Sequence, residues 1–179
     1  MSGGPARAAD GSMSLMVACL DEVFAQHSPL MNDLSSKVFR ISQRPGDGAR
    51  TKLVNNLLAG INLAAAAEAM ALAGRLGLDL AATQAVIEQS SGQSWIGSDR
   101  MHRALAGDFV PRAHMGLLAK DTGLAVTTAH AAGFSPALGV QAATIFAQAV
   151  AMGLGQHDDA ALFSLLQSQC IQQGAAPLP

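Results

Sequence analysis

One run of sequence restricts the fold more than any other. From Asp47 to Leu76 the pattern reads as a single helix, with Asp47 or Thr51 as its cap and Gly77 as its stop. Roughly thirty residues at 1.5 Å each make about 45 Å, long for a globular helix. Leu53, Leu57, Ala64 and Ala67 cover one side, and Val54, Leu58, Ile61, Ala65, Leu72 and Leu76 cover most of the rest. A helix apolar nearly all round is expected at the centre of a core, and the Ala64–Ala67 run lets neighbours approach closely. The apolar part holds Asn62 and Glu68 and is followed by Arg75, which argues against a membrane span.

Helical patterns continue beyond Gly77. Asp79 caps a helix to about Ser90, and a polar break at Ser91–Ser94 leads to a helix near Trp95–Leu105, ended by Gly107. Asp108-Phe109-Val110-Pro111 reads as a loop. Further helices are expected over Met115–Ala132, stopped by Gly133, and from Pro136 to about Met152. A last helix to about Gln172 is capped by Asp158 or Asp159, and Gly174–Pro179 reads as a disordered tail. Five or six helices with short connections make an all-α domain.

Residues 1–45 read differently. Ser2-Gly3-Gly4-Pro5 is turn chemistry, or a loose terminus. Ser12–Ala18 and Lys37–Ile41 alternate like short strands, around a helical stretch from Asp21 to Leu34 that breaks near Ser28-Pro29, with Ser28 as a second cap. Two strands are too few for a stable sheet, so this segment reads as the tail end of a larger sheet domain.

Composition narrows the function classes. The chain is 50% hydrophobic and 13% charged, with a net charge of -2 and no basic stripe, so nucleic acid is not an expected partner. Cys19 and Cys170 show no zinc or disulfide spacing and are expected as reduced thiols of a cytoplasmic protein. MSGGPARAADG lacks the apolar core of a signal peptide. His27, His102, His114, His130 and His157 show no His-x-x-x-His pair, so no metal site is expected. The methionines read as core filling, Trp95 as the anchor of a bend, and Asp158-Asp159 as a cap.

The chemistry concentrates in Gly46-Asp47-Gly48-Ala49-Arg50-Thr51-Lys52-Leu53-Val54-Asn55-Asn56. Lys52 and Asn56 stand four apart, on one face of the helix. By spacing alone they are an ordinary polar pair at a solvated helix start. Held side by side, a cation and an amide donor can also grip a small oxygenated anion or carbonyl.

The order of motifs resembles the β-hydroxyacid dehydrogenase family, which includes 3-hydroxyisobutyrate dehydrogenase, tartronate semialdehyde reductase and threonate dehydrogenase-like enzymes and is related to 6-phosphogluconate dehydrogenase. Ser2-Gly3-Gly4, Gly46-x-Gly48-x-x-x-Lys52-x-x-Asn55-Asn56, Glu68-Ala69 and Lys120-Asp121 carry the resemblance, from Ser2 to about Leu166. It implies a mainly α chain. Residues 1–45 would be the C-terminal remnant of an NAD-binding Rossmann domain. Residues 46–173 would be an all-α substrate and dimerisation domain of the 6-phosphogluconate dehydrogenase type, built on one long helix. It also implies Lys52 as the catalytic lysine, Asn56 and Ser2, Gly3 and Gly4 as substrate-binding, and Lys120 with Asp121 near an NAD or NADP cofactor. The family often forms dimers or tetramers through the helical domain.

The residues support that chemistry. Hydride transfer to a carbonyl leaves an alkoxide, and a nearby lysine can supply the proton and stabilise the charge. In reverse the neutral amine is the base, and Lys120 is a candidate second cation to favour it. Backbone N–H groups of Ser2-Gly3-Gly4 suit a carboxylate. Three positions depart from the family pattern: Ala18-Cys19-Leu20 and Ser35-Ser36, where glycines are usual, and His114-Met115, where an aromatic is usual. The Gly-x-Gly-x-x-Gly dinucleotide fingerprint is absent, so cofactor affinity is expected to be weak. The leading expectation is a truncated NAD(P)-dependent dehydrogenase or reductase of a small 3-hydroxy acid or its semialdehyde. The alternative is a catalytically inactive helical dimerisation module that keeps the motif.

Overall fold

A computed structural model describes residues 1–172, so the expected tail at Gly174–Pro179 and the side chain of Cys170 lie outside it. The chain is mainly helical, with one small α/β segment, and it divides into two compact units, Met1–Asn56 and Leu57–Pro179. The dividing point falls inside the long helix.

The first unit opens with α1 (Gly4–Ala9), a short helix that the turn-like sequence did not suggest; Pro5 occupies its first turn, where a missing N–H costs nothing. Strand β1 (Ser14–Ala18) and strand β2 (Lys37–Ser42) pair in parallel, with Ser14 beside Lys37 and Val17 beside Arg40. A bulge between Val17 and Ala18 brings Ala18 beside Ser42. Between the strands runs α2 (Asp21–Leu34), unbroken, with Pro29 inside it. Ser28 is not a cap: its hydroxyl donates back to the Phe24 carbonyl at 2.7 Å, as an interior serine does.

Ser35 and Ser36 fasten the turn after α2. Ser35 is buried, donates to the Met13 carbonyl and accepts from Lys37 N–H at 3.0 Å. The Ser36 amide donates to the Gly11 carbonyl at 2.9 Å. Ser35 has extended backbone (φ -160°), so no glycine is required there.

Helix α3 (Asp47–Arg75) matches the expected long helix. Its end is a Schellman turn, in which Gly77 at φ +71° lets Leu78 N–H reach the Ala73 carbonyl at 3.0 Å and Gly77 N–H reach Gly74 at 3.1 Å. Its start differs from expectation. The Asp47 carboxylate receives the side chains of Ser42, Arg44 and Arg50 instead of helix N–H groups, and Thr51 donates to the Asp47 carbonyl.

In the second unit α3 is followed by α4 (Leu80–Glu88), α5 (Trp95–Leu105), α6 (Met115–Ala131), α7 (Ala137–Ala151), a 3-10 turn (Leu154–Gln156) and α8 (Ala161–Gln172). Asp79 caps α4 by accepting from Ala82 N–H at 2.7 Å, and Ser94 caps α5 by accepting from Gly97 N–H at 3.1 Å. The core joins Leu63 and Met70 of α3, Met101, Met115, Phe146 and Leu162, all fully buried. Glycines bring the helices close. An added Cβ would lie 2.4 Å from Thr122 Cγ2 at Gly60 and 2.8 Å from Leu57 Cδ1 at Gly139.

Helix α3 is not buried all round. Gly60, Leu63, Ala64, Ala67, Met70, Ala71 and Ala73 face the core, while Leu58 and Leu72 are exposed. It is long and apolar enough to cross a membrane by length and composition, and its buried residues are packed in this core. Trp95, expected to anchor a bend, is 53% exposed and lies with its ring 5.9 Å from the Arg100 guanidinium carbon.

Candidate functional site

The first turns of α3 are fixed in the N-terminal unit by two devices. The first is the Asp47 cluster. Hydrogen bonds from Arg44, Ser42 and Arg50, in that order of weight, hold the Asp47 carboxyl well below the usual carboxylate range. The second is steric. An added Cβ on Gly48 would lie 2.4 Å from the Met16 carbonyl oxygen, so α3 starts against the backbone of β1 at a distance only glycine permits. Gly46, at φ +95°, supplies the turn into the helix.

Lys52 lies in the second turn of that anchored helix and is half-buried. Its Nζ donates to Ser2 Oγ at 3.2 Å, joining residues 50 positions apart. Ser2 is not a loose end. Its N–H donates to the Ser14 carbonyl at 2.9 Å and its carbonyl accepts from Ser14 N–H at 2.7 Å, an antiparallel bridge onto β1. The Ser2 amide, expected to help hold a carboxylate, is therefore engaged, and the hydroxyl is the group that meets Lys52. Gly3 follows at φ +143°, where a Cβ would lie 2.8 Å from Arg7 Cβ, and Gly4 at φ +71° opens α1. Asn56, one turn beyond Lys52 and half-buried, accepts at Oδ1 from Asn55 Nδ2 at 3.2 Å. Ser2, Gly3, Gly4, Lys52 and Asn56 all belong to the first unit.

Lys120 and Asp121 belong to the second unit, on α6. Lys120 Nζ lies 3.0 Å from Asp121 Oδ1, and its side chain is 66% exposed. The start of α6 is held by Asp158 and Asp159, the residues expected to cap the last helix. Asp158, fully buried, accepts at Oδ2 from Arg112 N–H at 2.7 Å and Ala113 N–H at 3.3 Å, and at Oδ1 from Ala160 N–H at 3.0 Å and Arg103 at 2.9 Å. Asp159 pairs with Arg100 at 2.6 Å, and Asp99 bonds both arginines. Asp159 N–H donates to the Ala113 carbonyl and Met115 N–H to His157, closing a bridge before α6. Burial opposes the Asp158 charge, yet hydrogen bonds from Arg112 N–H, Arg103, Ala160 and Ala113 keep its pKa lowered. Burial dominates at Asp159 and raises it despite Arg100. The Asp99, Arg100 and Arg103 spacing on one helix was the visible signal; partners 55 to 59 residues away were not.

His114, at the aromatic position of the resemblance, places Nδ1 2.9 Å from the Gln156 carbonyl oxygen, and His102 Nε2 lies 2.7 Å from Glu88 Oε1. Among the described residues no group of three or more His, Cys, Asp or Glu could hold a metal ion.

A dinucleotide needs a strand, a glycine turn and a helix start whose amides meet the pyrophosphate. The turn after β1 is Cys19-Leu20, without glycine, and the Cβ position of Gly48 after β2 is filled by the Met16 carbonyl. Among the described residues no pyrophosphate cradle is present.

Comparison with known proteins places the chain. Residues 46–166 match the family described as NAD-binding of NADP-dependent 3-hydroxyisobutyrate dehydrogenase. L-threonate dehydrogenase of Escherichia coli K12 is 37% identical over 165 residues, which are 92% of this chain and 55% of that one. Mitochondrial 3-hydroxyisobutyrate dehydrogenase of Bos taurus is 33% identical, over 94% of this chain and 52% of its own length. The crystal structure of 3-hydroxyisobutyrate dehydrogenase from Salmonella typhimurium superposes with a TM-score of 0.85 at 38% identity, over 92% of this chain and 57% of that one. The chain thus spans about half the length of the relatives it matches.

Proposed function

The chain belongs to the 3-hydroxyisobutyrate dehydrogenase family, and from that premise we propose that it supplies the substrate-holding and proton-transferring residues of an NAD(P)-dependent dehydrogenase of small 3-hydroxy acids. The observation that carries this is the contact of Lys52 Nζ with Ser2 Oγ at 3.2 Å, which gathers two separated motifs at one point. Lys52 is the general acid that donates a proton to the substrate oxygen as alkoxide forms, and the base that takes it back in the oxidative direction. Asn56 orients the substrate from one turn further along the same face. Ser2, through its hydroxyl, and Gly3 and Gly4, through their backbone, hold the substrate carboxylate. Lys120 and Asp121 serve the cofactor side. Threonate-like sugar acids and 3-hydroxyisobutyrate are the candidate substrates, following the relatives' names.

Residues 1–45 then act as part of a dinucleotide-binding domain and residues 46–173 as the helical substrate domain, through which the cytoplasmic protein self-associates. The described residues offer no pyrophosphate cradle, and no redox step is assigned to them.

Two titrations of the whole chain test this. Calorimetry with L-threonate and 3-hydroxyisobutyrate should show binding that Lys52→Met weakens by at least about tenfold. Equal affinity in the variant removes Lys52 from the site. Titration with NADH and NADPH, followed by cofactor fluorescence, reports whether the chain holds a cofactor. Absence of binding at millimolar cofactor overturns an enzymatic role for this polypeptide and leaves the second reading, a catalytically silent helical module.

A further inference from the structure

Lys52 and Ser2 are two reactive groups on fixed backbone. Helix α3 carries Lys52 from a start pinned by the Asp47 cluster and by Gly48 against the Met16 carbonyl. Both backbone bonds of Ser2 to Ser14, at 2.9 and 2.7 Å, hold the serine in place, and its hydroxyl meets the Lys52 amine at 3.2 Å. A half-buried primary amine beside a hydroxyl is equipped for a second chemistry, addition to a carbonyl carbon. The chain's other lysines set the comparison. Lys37 on β2 is exposed, and Lys120 is 66% exposed with Nζ 3.0 Å from Asp121 Oδ1.

We propose that Lys52 forms a covalent imine with the carbonyl of small oxo acids and semialdehydes, and that Ser2 assists the loss of water. The neutral Lys52 Nζ adds its lone pair to the carbonyl carbon, and a proton passes from nitrogen to oxygen, giving a carbinolamine. The Ser2 hydroxyl donates a proton to the departing hydroxyl and recovers one from the nitrogen. Water leaves and the C=N bond forms. Nothing is oxidised or reduced, so the step needs no nicotinamide. The oxidised product of a 3-hydroxy acid carries such a carbonyl, so it would capture the nitrogen that the redox reaction uses as its base. The inference rests on the reading of Lys52 and Ser2 as substrate-holding residues and not on cofactor binding.

Reductive trapping on the whole chain tests it. The chain is treated with succinate semialdehyde and sodium cyanoborohydride, and peptide mapping by mass spectrometry reads the adduct at each lysine and at the α-amino group. Lys52 should be labelled at least about tenfold faster than Lys37 and Lys120. Butanal, an aldehyde without a carboxylate, should show no such preference. Ser2→Ala should slow labelling of Lys52 and leave Lys37 and Lys120 unchanged, while Ser2→Thr, which keeps the hydroxyl, should retain it. Lys52 labelled no faster than the exposed lysines overturns the imine site. Labelling indifferent to Ser2→Ala removes the serine from the step, and equal preference with butanal overturns the acid class. Calorimetric binding of the hydroxy acids without selective labelling sinks this inference alone. Selective labelling without that binding sinks the hydroxy-acid reading instead.

Discussion

Gly60 of α3 and Thr122 of α6 meet so closely that a Cβ on the glycine would lie 2.4 Å from Thr122 Cγ2. Thr122 is fully buried and its hydroxyl donates to the Leu118 carbonyl at 2.7 Å, so its methyl has no free direction to move. The Phe146 ring, 3.4 Å from the same point, closes the other side. Gly60→Ala should therefore destabilise by about 1–3 kcal/mol, although alanine is the better helix former. Removing the opposing methyl should relieve it. In urea unfolding, G60A/T122S should be less destabilised than the sum of the single variants. Strict additivity would mean that the two residues do not share the strain.

The two glycines of the motif before Lys52 have different jobs, and substitution should separate them. Gly46 needs its positive φ, while Gly48 needs the absence of a side chain, because the atom in the way is the Met16 backbone oxygen. A backbone atom inside a paired strand cannot turn aside as a flexible side chain can. Gly48→Ala should cost about 1–3 kcal/mol. Hydrogen exchange should locate the loss at β1 and the start of α3. Unchanged protection of Val17 and Ala18 would show that the strand is not the obstacle.

The elements of the helical unit were legible because their stops are local chemistry. Gly77, Gly107, Gly133 and Gly153 all sit at positive φ just past a helix, and Asp79 and Ser94 cap as their side chains suggest. The motif from Gly46 to Asn56 pointed to Lys52, but its meeting with Ser2 depends on a bridge between Ser2 and Ser14 that no spacing reveals. Apolar periodicity showed that α3 could be buried on every side. It could not show which stripe the other helices would leave open, since Leu63 and Leu72 are equally good core residues until packing partners are known. Asp158 does accept from Ala160 N–H before α8, as a cap does, but its bonds to Arg103 and the Asp159 pair with Arg100 were not legible, because a local cap and a long-range ion network use the same residue type.

Ser35 shows how a departure from the family pattern can carry its own stabilisation. Its buried hydroxyl donates to the Met13 carbonyl and accepts from Lys37 N–H at 3.0 Å, tying the end of α2 to the strand pair. Ser35→Ala should leave two backbone groups without that partner and cost about 1–3 kcal/mol. Ser35→Gly should cost more, since the extended conformation at φ -160° has no need of glycine and the unfolded chain gains freedom. Thermal melts ranking wild type above S35A above S35G are expected. A glycine variant as stable as wild type would show that the serine contributes nothing.

Asp158 ties together α5, the start of α6 and the start of α8, and its removal should be felt at all three. Asp158→Ala leaves the Arg103 guanidinium, with a side chain only 11% exposed, short of its main carboxylate, while Arg103 Nη2 already lacks a hydrogen-bond partner and stands 3.7 Å from Asp159. Breaking one member of a buried pair costs about 3–5 kcal/mol. The pH dependence has a definite sign. The folded-state pKa of Asp158 is lowered, so its contribution is complete above the unfolded-state value near 3.8 and is lost as pH falls through the lower folded value. Asp159 is raised, so it binds its proton first in the folded state and acts oppositely, favouring the fold as pH drops toward 3.8. In Asp158→Asn the acid-side loss from this residue should disappear, while a gain from Asp159 remains between its raised pKa and the ordinary value. Stability measured by urea unfolding from pH 6 to pH 3 should therefore fall less steeply for D158N than for wild type. Parallel profiles would mean that the Asp158 charge does not support the start of α6.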